Sequence, residues 1–190
     1  MNILAVDATG DVLSVAIGVH ELTRASKKHD EAILPLIERL LRSARLKWKD
    51  IDAIAAASGP GRFTGIRIGM SLAAAAGFQL GIPVFAISRL EAAAGKSKSL
   101  RVIGALPGWK GEIYSQVYQR GKAQGPAVWT SAEDWSAVRA GAETRGLEVV
   151  FGETMASDLI PIAARLLAAK KNPPFKPFYL KPAGYERFRS

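Results

Sequence analysis

The segment Ser58-Gly59-Pro60-Gly61-Arg62-Phe63-Thr64-Gly65-Ile66-Arg67-Ile68-Gly69 limits the fold more than any other stretch of this chain. It follows an apolar run at 51–57 that reads as a buried strand. It opens into residues 64–80, which read as a helix capped by Thr64 and ended near Gly81 and Pro83. The helix start offers orphan N–H groups and the positive dipole end to an anion, and Arg62 and Arg67 add charge. The spacing is neither a dinucleotide fingerprint nor a P-loop, since no Gly-Lys-Ser/Thr follows. A purely structural crossover is the plainer reading of the same residues.

Upstream, 3–7 and 12–18 are apolar runs separated by turn chemistry, a hairpin signal, and the more polar 19–25 suits an edge strand. Ile33, Leu36, Ile37, Leu40, Leu41 and Ala44 recur at steps of three and four, which predicts an amphipathic helix over about 31–44. Because proline is tolerated only in a first turn, Pro35 sets the regular start near 31–34 or kinks the helix. Residues 83–87 form a further strand and Ser88 opens a short helix. The order β-β-β-α-β-α-β-α predicts a ribonuclease-H-like α/β arrangement with a mixed sheet.

Gly95-Lys96-Ser97-Lys98-Ser99 reads as a boundary, dividing the chain into 1–97 and 98–190. The second part repeats the theme in shortened form, with strands at 101–106, 112–118 and 148–151 and helices at 131–140 and 153–169. Residues 170–190 read as an ordered extended strap.

Asp7-Ala8-Thr9-Gly10 is the second candidate for chemistry. A carboxylate at a strand end, followed by a small-residue hairpin, can hold a metal-bound phosphate against free N–H groups. The alternative is a tight turn fixed by side-chain to backbone hydrogen bonds. The absence of cysteine excludes thiolate metal sites and cysteine nucleophiles, and two histidines, His20 and His29, are a poor basis for zinc. Neither a basic leader nor an apolar run of membrane-spanning length is present, so the expectation is a cytoplasmic protein without a membrane segment.

Residues 59–69 resemble the signature Gly-Pro-Gly-Ser-Phe-Thr-Gly-Leu-Arg-Ile-Gly of the TsaB (YeaZ) family, with Arg62 in the serine position. Further similarity follows in chain order at Ile3-Leu4-Ala5-Val6-Asp7, Ser14-Val15-Ala16, His29, Ile33-Leu34-Pro35-Leu36-Ile37, Glu112-Ile113-Tyr114 and Pro177-Phe178-Tyr179-Leu180-Lys181. Two departures stand out. Only Thr9 remains of the hydroxyl residues after the aspartate, and Pro107-Gly108-Trp109 replaces Asp-Ala-Arg.

The resemblance implies an actin, sugar-kinase and chaperone-ATPase type of fold with a reduced second domain. It implies a non-catalytic subunit that pairs with a TsaD-like threonylcarbamoyltransferase and, with a TsaE-like ATPase, supports threonylcarbamoylation of the tRNA adenosine beside the anticodon. The paired surface would come from the first two helices: His29, Ile33, Leu34, Leu36, Ile37 and Leu41, and Gly65, Ile66, Gly69, Met70, Ala73 and Gly77. A helical wheel of the second helix separates Ile68, Leu72 and Ala75 from Ile66, Met70, Ala73 and Gly77, so one face should pack at home and the other on a partner, homodimeric alone and heterodimeric with TsaD. Asp7, Thr9, Arg62 and Arg67 would lie nearest any phosphate.

The alternative is an autonomous kinase-like or ATP-hydrolysing enzyme of the same fold. It would need a second phosphate hairpin and an adenosine pocket, for which only Phe151-Gly152-Glu153-Thr154 is on offer. A nuclease would need converging carboxylates to hold two metals, and Asp7 has no companion at 56–58. The expectation is therefore no catalytic residue, no metal and no cofactor.

From Arg165 onward seven basic residues face one acid, interleaved with Phe175, Phe178, Tyr179, Tyr185 and Phe188. Lys181, Arg187 and Arg189 are the candidate RNA-facing charges, with tRNA reached directly or through the partner. The other reading has the aromatics packing the strap while the lysines stay solvated. Trp48, Trp109, Trp129 and Trp135 read as core or boundary aromatics, and His29 as a helix-entry hydrogen-bonding residue.

Overall fold

The computed structural model describes residues 1–26 and 28–180. Its first sheet contains β1 (Ile3–Asp7), β2 (Val12–Ile17), β3 (His20–Ala25), β4 (Ala53–Gly59) and β5 (Val84–Ser88) in the order β3-β2-β1-β4-β5. The three opening strands are antiparallel, whereas β1 pairs in parallel with β4, and β4 with β5. Central β1 and β4 are buried on both faces and so read as continuous apolar runs, while polar β3 lies at the edge.

Alternation along β1 divides the core. Leu4 and Val6 face α1 (His29–Ser43) and α2 (Phe63–Leu80), and Ile3 and Ala5 face the opposite way. That second face is closed by α3 (Arg89–Ala94) and by α5 (Ile160–Ala168), the last helix described, which contributes Ile162 and Ala163.

The second sheet contains β6 (Arg101–Pro107), β7 (Ile113–Gln119), β8 (Lys122–Thr130) and β9 (Glu148–Phe151) in the order β8-β7-β6-β9, with α4 (Ala132–Thr144) beside it. This repeats the strand order of the first sheet without an equivalent of β5. Two mixed sheets of this order, the second one strand short, make the α/β fold of the actin, sugar-kinase and chaperone-ATPase type. Among the described residues no helix is long and apolar enough to cross a membrane.

Three local expectations are corrected, and one strand carries no sequence signal. Helix α1 starts at His29 and carries Pro35 in its interior. Its buried stripe from Ala32 to Leu41 holds the helix together, and the bond that Pro35 cannot donate is lost on the exposed side. Helix α2 starts at Phe63 with Arg62 at the cap and no side-chain cap bond, so Thr64 caps nothing; Gly81 ends it with φ 66. The span 153–169 is not one helix: a 3-10 turn at Ala156–Leu159 precedes α5, whose start is set by Pro161. Strand β8 was not anticipated, because it lies at an edge with Gly125-Pro126 inside and shows no apolar alternation.

Beyond α5 the chain runs as a strap along the first half. Phe175 packs on the core, the Phe178 amide donates to the Ser58 carbonyl at 2.7 Å, and the Tyr179 ring lies 4.8 Å from that of Phe63. Trp48 and Trp135 pack on their cores and Trp129 is exposed. The side chain of Trp109 lies outside the described residues, as do Lys181, Tyr185, Arg187, Phe188 and Arg189.

Candidate functional site

Asp7 ends β1 and is only 2% exposed. Its Oδ1 accepts the Thr9 amide at 2.8 Å and the Thr9 hydroxyl at 2.6 Å, so aspartate and threonine fix the turn. The Arg89 Nε lies 3.3 Å from Asp7 Oδ2. Arg89 is the first residue of α3, and its side chain is 4% exposed. The same Nε donates to Thr154 Oγ1 at 2.9 Å, Nη1 to the Pro60 carbonyl at 3.2 Å, and Nη2 to Glu153 Oε2.

Those contacts decide whether the hairpin can take a metal-bound phosphate. A Cβ added to Gly10 would stand 3.8 Å from Arg89 Nη2 and 4.0 Å from Glu153 Oε2, which puts the guanidinium directly against the hairpin turn. One Asp7 oxygen accepts both Thr9 bonds, and the other makes no hydrogen bond among the described residues but faces the Arg89 guanidinium as an ion pair at 3.3 Å. The residues present do not fit a metal-nucleotide at Asp7.

The glycine-rich bend serves close packing. Arg62 donates its amide to the Thr9 carbonyl at 2.7 Å, a Cβ on Gly61 would stand 2.7 Å from the same oxygen, and one on Gly65 would collide with the Ala8 carbonyl. The first turn of α2 is thus covered by the hairpin of its own chain. The structure brings Asp7, Thr9 and Arg62 together, with the Arg62 side chain 3.6 Å from Asp11 at the surface. Arg67 goes elsewhere: its guanidinium sits 3.9 Å over the Phe63 ring, and its Nε donates to the Tyr179 hydroxyl.

His29 is buried, and its ring Nδ1 donates to the Ala8 carbonyl at 3.0 Å; its Nε2 has no hydrogen-bond partner among the described residues. Ile33, Leu36, Ile37 and Leu41, and Gly65, Ile66, Gly69, Met70, Ala73 and Gly77, are likewise buried within their own chain. The small residues of α2 serve close approach to the sheet: Gly69 faces Ala8 and Val6, and a side chain on Gly77 would strike Val84. Leu34, 50% exposed, remains at the surface. The outward face of α2 carries Ser71, Ala74, Ala75 and Phe78, the last 91% exposed, with Ile68 and Leu72 half-buried at the core margin. Between this face and the strap runs a groove of about 250 Å³ lined by Arg67, Met70, Ser71, Ala74, Phe175, Pro177 and Tyr179.

A second cleft, of about 190 Å³, lies between α3, β7 and α5 and is lined in part by Glu91, Ser97, Tyr118 and Arg165. Burial pushes the Glu91 carboxyl above its ordinary range, opposed by the Arg165 guanidinium 3.0 Å away. Burial, with the charge of Glu91, also raises the Tyr118 phenol.

Arg89 escaped the sequence reading. The available signal was a cation at the first position of a helix, where the dipole disfavours it, directly after a buried strand.

The family model described as TsaD, tRNA N6-adenosine threonylcarbamoyltransferase, matches residues 18–139. The tRNA threonylcarbamoyladenosine biosynthesis protein TsaB of Escherichia coli is 28% identical over 209 aligned residues, covering 90% of this chain and 89% of that protein. TsaB of Buchnera aphidicola is 34% identical over 146 residues, 72% of this chain and 68% of that one. The solved structure of YeaZ from Pseudomonas aeruginosa superposes with a TM-score of 0.70 at 26% identity, covering 94% of this chain and 99% of its own. With the glycine-rich bend clamped on the opening hairpin and similarity running along most of its length, the chain belongs to the TsaB (YeaZ) family.

Proposed function

We propose that this chain is a non-catalytic subunit in the threonylcarbamoylation of tRNA, pairing with a TsaD-like transferase and working alongside a TsaE-like ATPase. Membership of the TsaB family supports the pathway. The observation that carries the subunit role is α2, whose inner face is sealed by Gly65, Gly69, Ala73 and Gly77 while Ala74, Ala75 and Phe78 point outward. A small-residue helix with an unshared apolar face suits a second helix in a bundle. In isolation the same face supports a homodimer. The neutralised Asp7 argues against independent phosphoryl chemistry. Contact with tRNA, direct or through the partner, would draw on the basic strap and on Lys181, Arg187 and Arg189.

Co-expression with a TsaD-like protein tests the reading. The wild-type chain is expected to co-purify with it, and a folded Phe78→Arg variant to lose that association. Failure of the wild type to associate, or turnover of ATP by this chain alone, overturns it.

A further inference from the structure

A carboxylate as buried as Asp7 needs a positive charge, and in a nucleotide-binding chain of this shape a metal with its phosphate could supply it. Here the charge comes from the chain. Arg89 also draws on three separate segments: the end of β1, the β4–α2 bend at Pro60, and Glu153-Thr154 just after β9. The last of these is the exit from the second sheet, and the segment that follows it packs on the first, where the Ala156 amide donates to Ser14 Oγ at 2.8 Å. Lys96 supports the same exit by donating to the Glu153 carbonyl at 3.0 Å and pairing with Asp158 at 2.9 Å.

We propose that Arg89 is a built-in counter-cation that replaces a bound metal-phosphate at Asp7 and latches the exit of the second sheet onto the first. The guanidinium is suited to this because its planar fork can serve several acceptors at once, which an ammonium cannot do in the same directions. Its removal would leave a cavity shaped for a guanidinium and lined by Asp7, Pro60, Glu153 and Thr154.

Chemical rescue of the full-length protein tests the proposal. Arg89→Ala should lower the thermal midpoint by roughly 10 °C and speed amide exchange in 152–159. Millimolar ethylguanidinium should restore both in a saturable way, whereas sodium chloride at equal ionic strength should not. Arg89→Lys should keep only part of the stability. Should Arg89→Ala fail to fold even with ethylguanidinium, Glu153→Gln and Thr154→Val decide the matter: both should fold and exchange faster in 152–159 alone. Equal rescue by sodium chloride, no rescue of a folded Arg89→Ala, or unchanged exchange in both milder variants overturns the latch. So does stabilisation of the wild type by magnesium-ATP that Asp7→Asn abolishes.

Discussion

The Nε of Arg67 donates to the hydroxyl of Tyr179 across 3.3 Å, while Phe63 touches both side chains, so strap and second helix share one cation-aromatic stack. The aromatics of the strap are anchors, and its basic residues are a separate matter.

Two truncations separate those roles. Deleting 177–190 removes Phe178 and Tyr179 and should cost about 2–3 kcal/mol of stability, read by chemical denaturation. Deleting 181–190 leaves these anchors in the chain. It should flatten the salt dependence of any direct tRNA binding by about two units in log–log slope, since Lys181, Arg187 and Arg189 are lost. Equal slopes for this form and the full chain would remove the tail from RNA contact.

The two faces of α2 should separate folding from association. Ala73 is fully buried, so Ala73→Arg places an unpaired charge in the core and should unfold the protein in circular dichroism. Leu72 lies half-buried at the margin, and Leu72→Arg should remain folded while eluting as a monomer and losing the TsaD-like partner. A folded Leu72→Arg that still associates would confine the interface to the Ala74, Ala75 and Phe78 side of the helix.

Glycines 65 and 81 should respond differently to alanine. Gly65→Ala drives a methyl into the Ala8 carbonyl and should cost about 3 kcal/mol, seen as a lower denaturation midpoint. Gly81→Ala meets no neighbour and carries only the strain of φ +66, about 1 kcal/mol.

Glu91 gives a pH signature. Its folded pKa lies above its unfolded value, so the unfolded chain gives up this proton first as pH rises. Its contribution therefore favours the fold below the unfolded pKa and is lost as pH climbs through the folded one. Glu91→Gln should flatten the fall in stability over that weakly acidic window, measured by melting at a series of pH values. An unchanged profile would show that Arg165 fully compensates burial.

Much of the first half was legible because its signals are local. The runs around Val6, Val15 and Ile54 mark strands by composition, and the stripe from Ile33 to Leu41 marks a helix by period. The spacing of Gly65, Gly69 and Gly77 predicts a close approach, but spacing alone does not say whether a sheet or a helix makes it. Arg89 was illegible for a different reason: its hydrogen-bond partners lie 29, 64 and 65 residues away, and only the folded chain gathers them. Strand β8 was hidden because an exposed edge needs no apolar pattern.

The return of α5 to the first sheet sets an order of events during synthesis. Ile3, Ala5, Phe85 and Ile87 are made well before the residues that cover them, Leu159, Ile162 and Ala163, which leave the ribosome only after the whole second sheet. Until then the nascent amino-terminal half presents one greasy side to the cell, and a fragment cut after the first sheet inherits that stickiness for good.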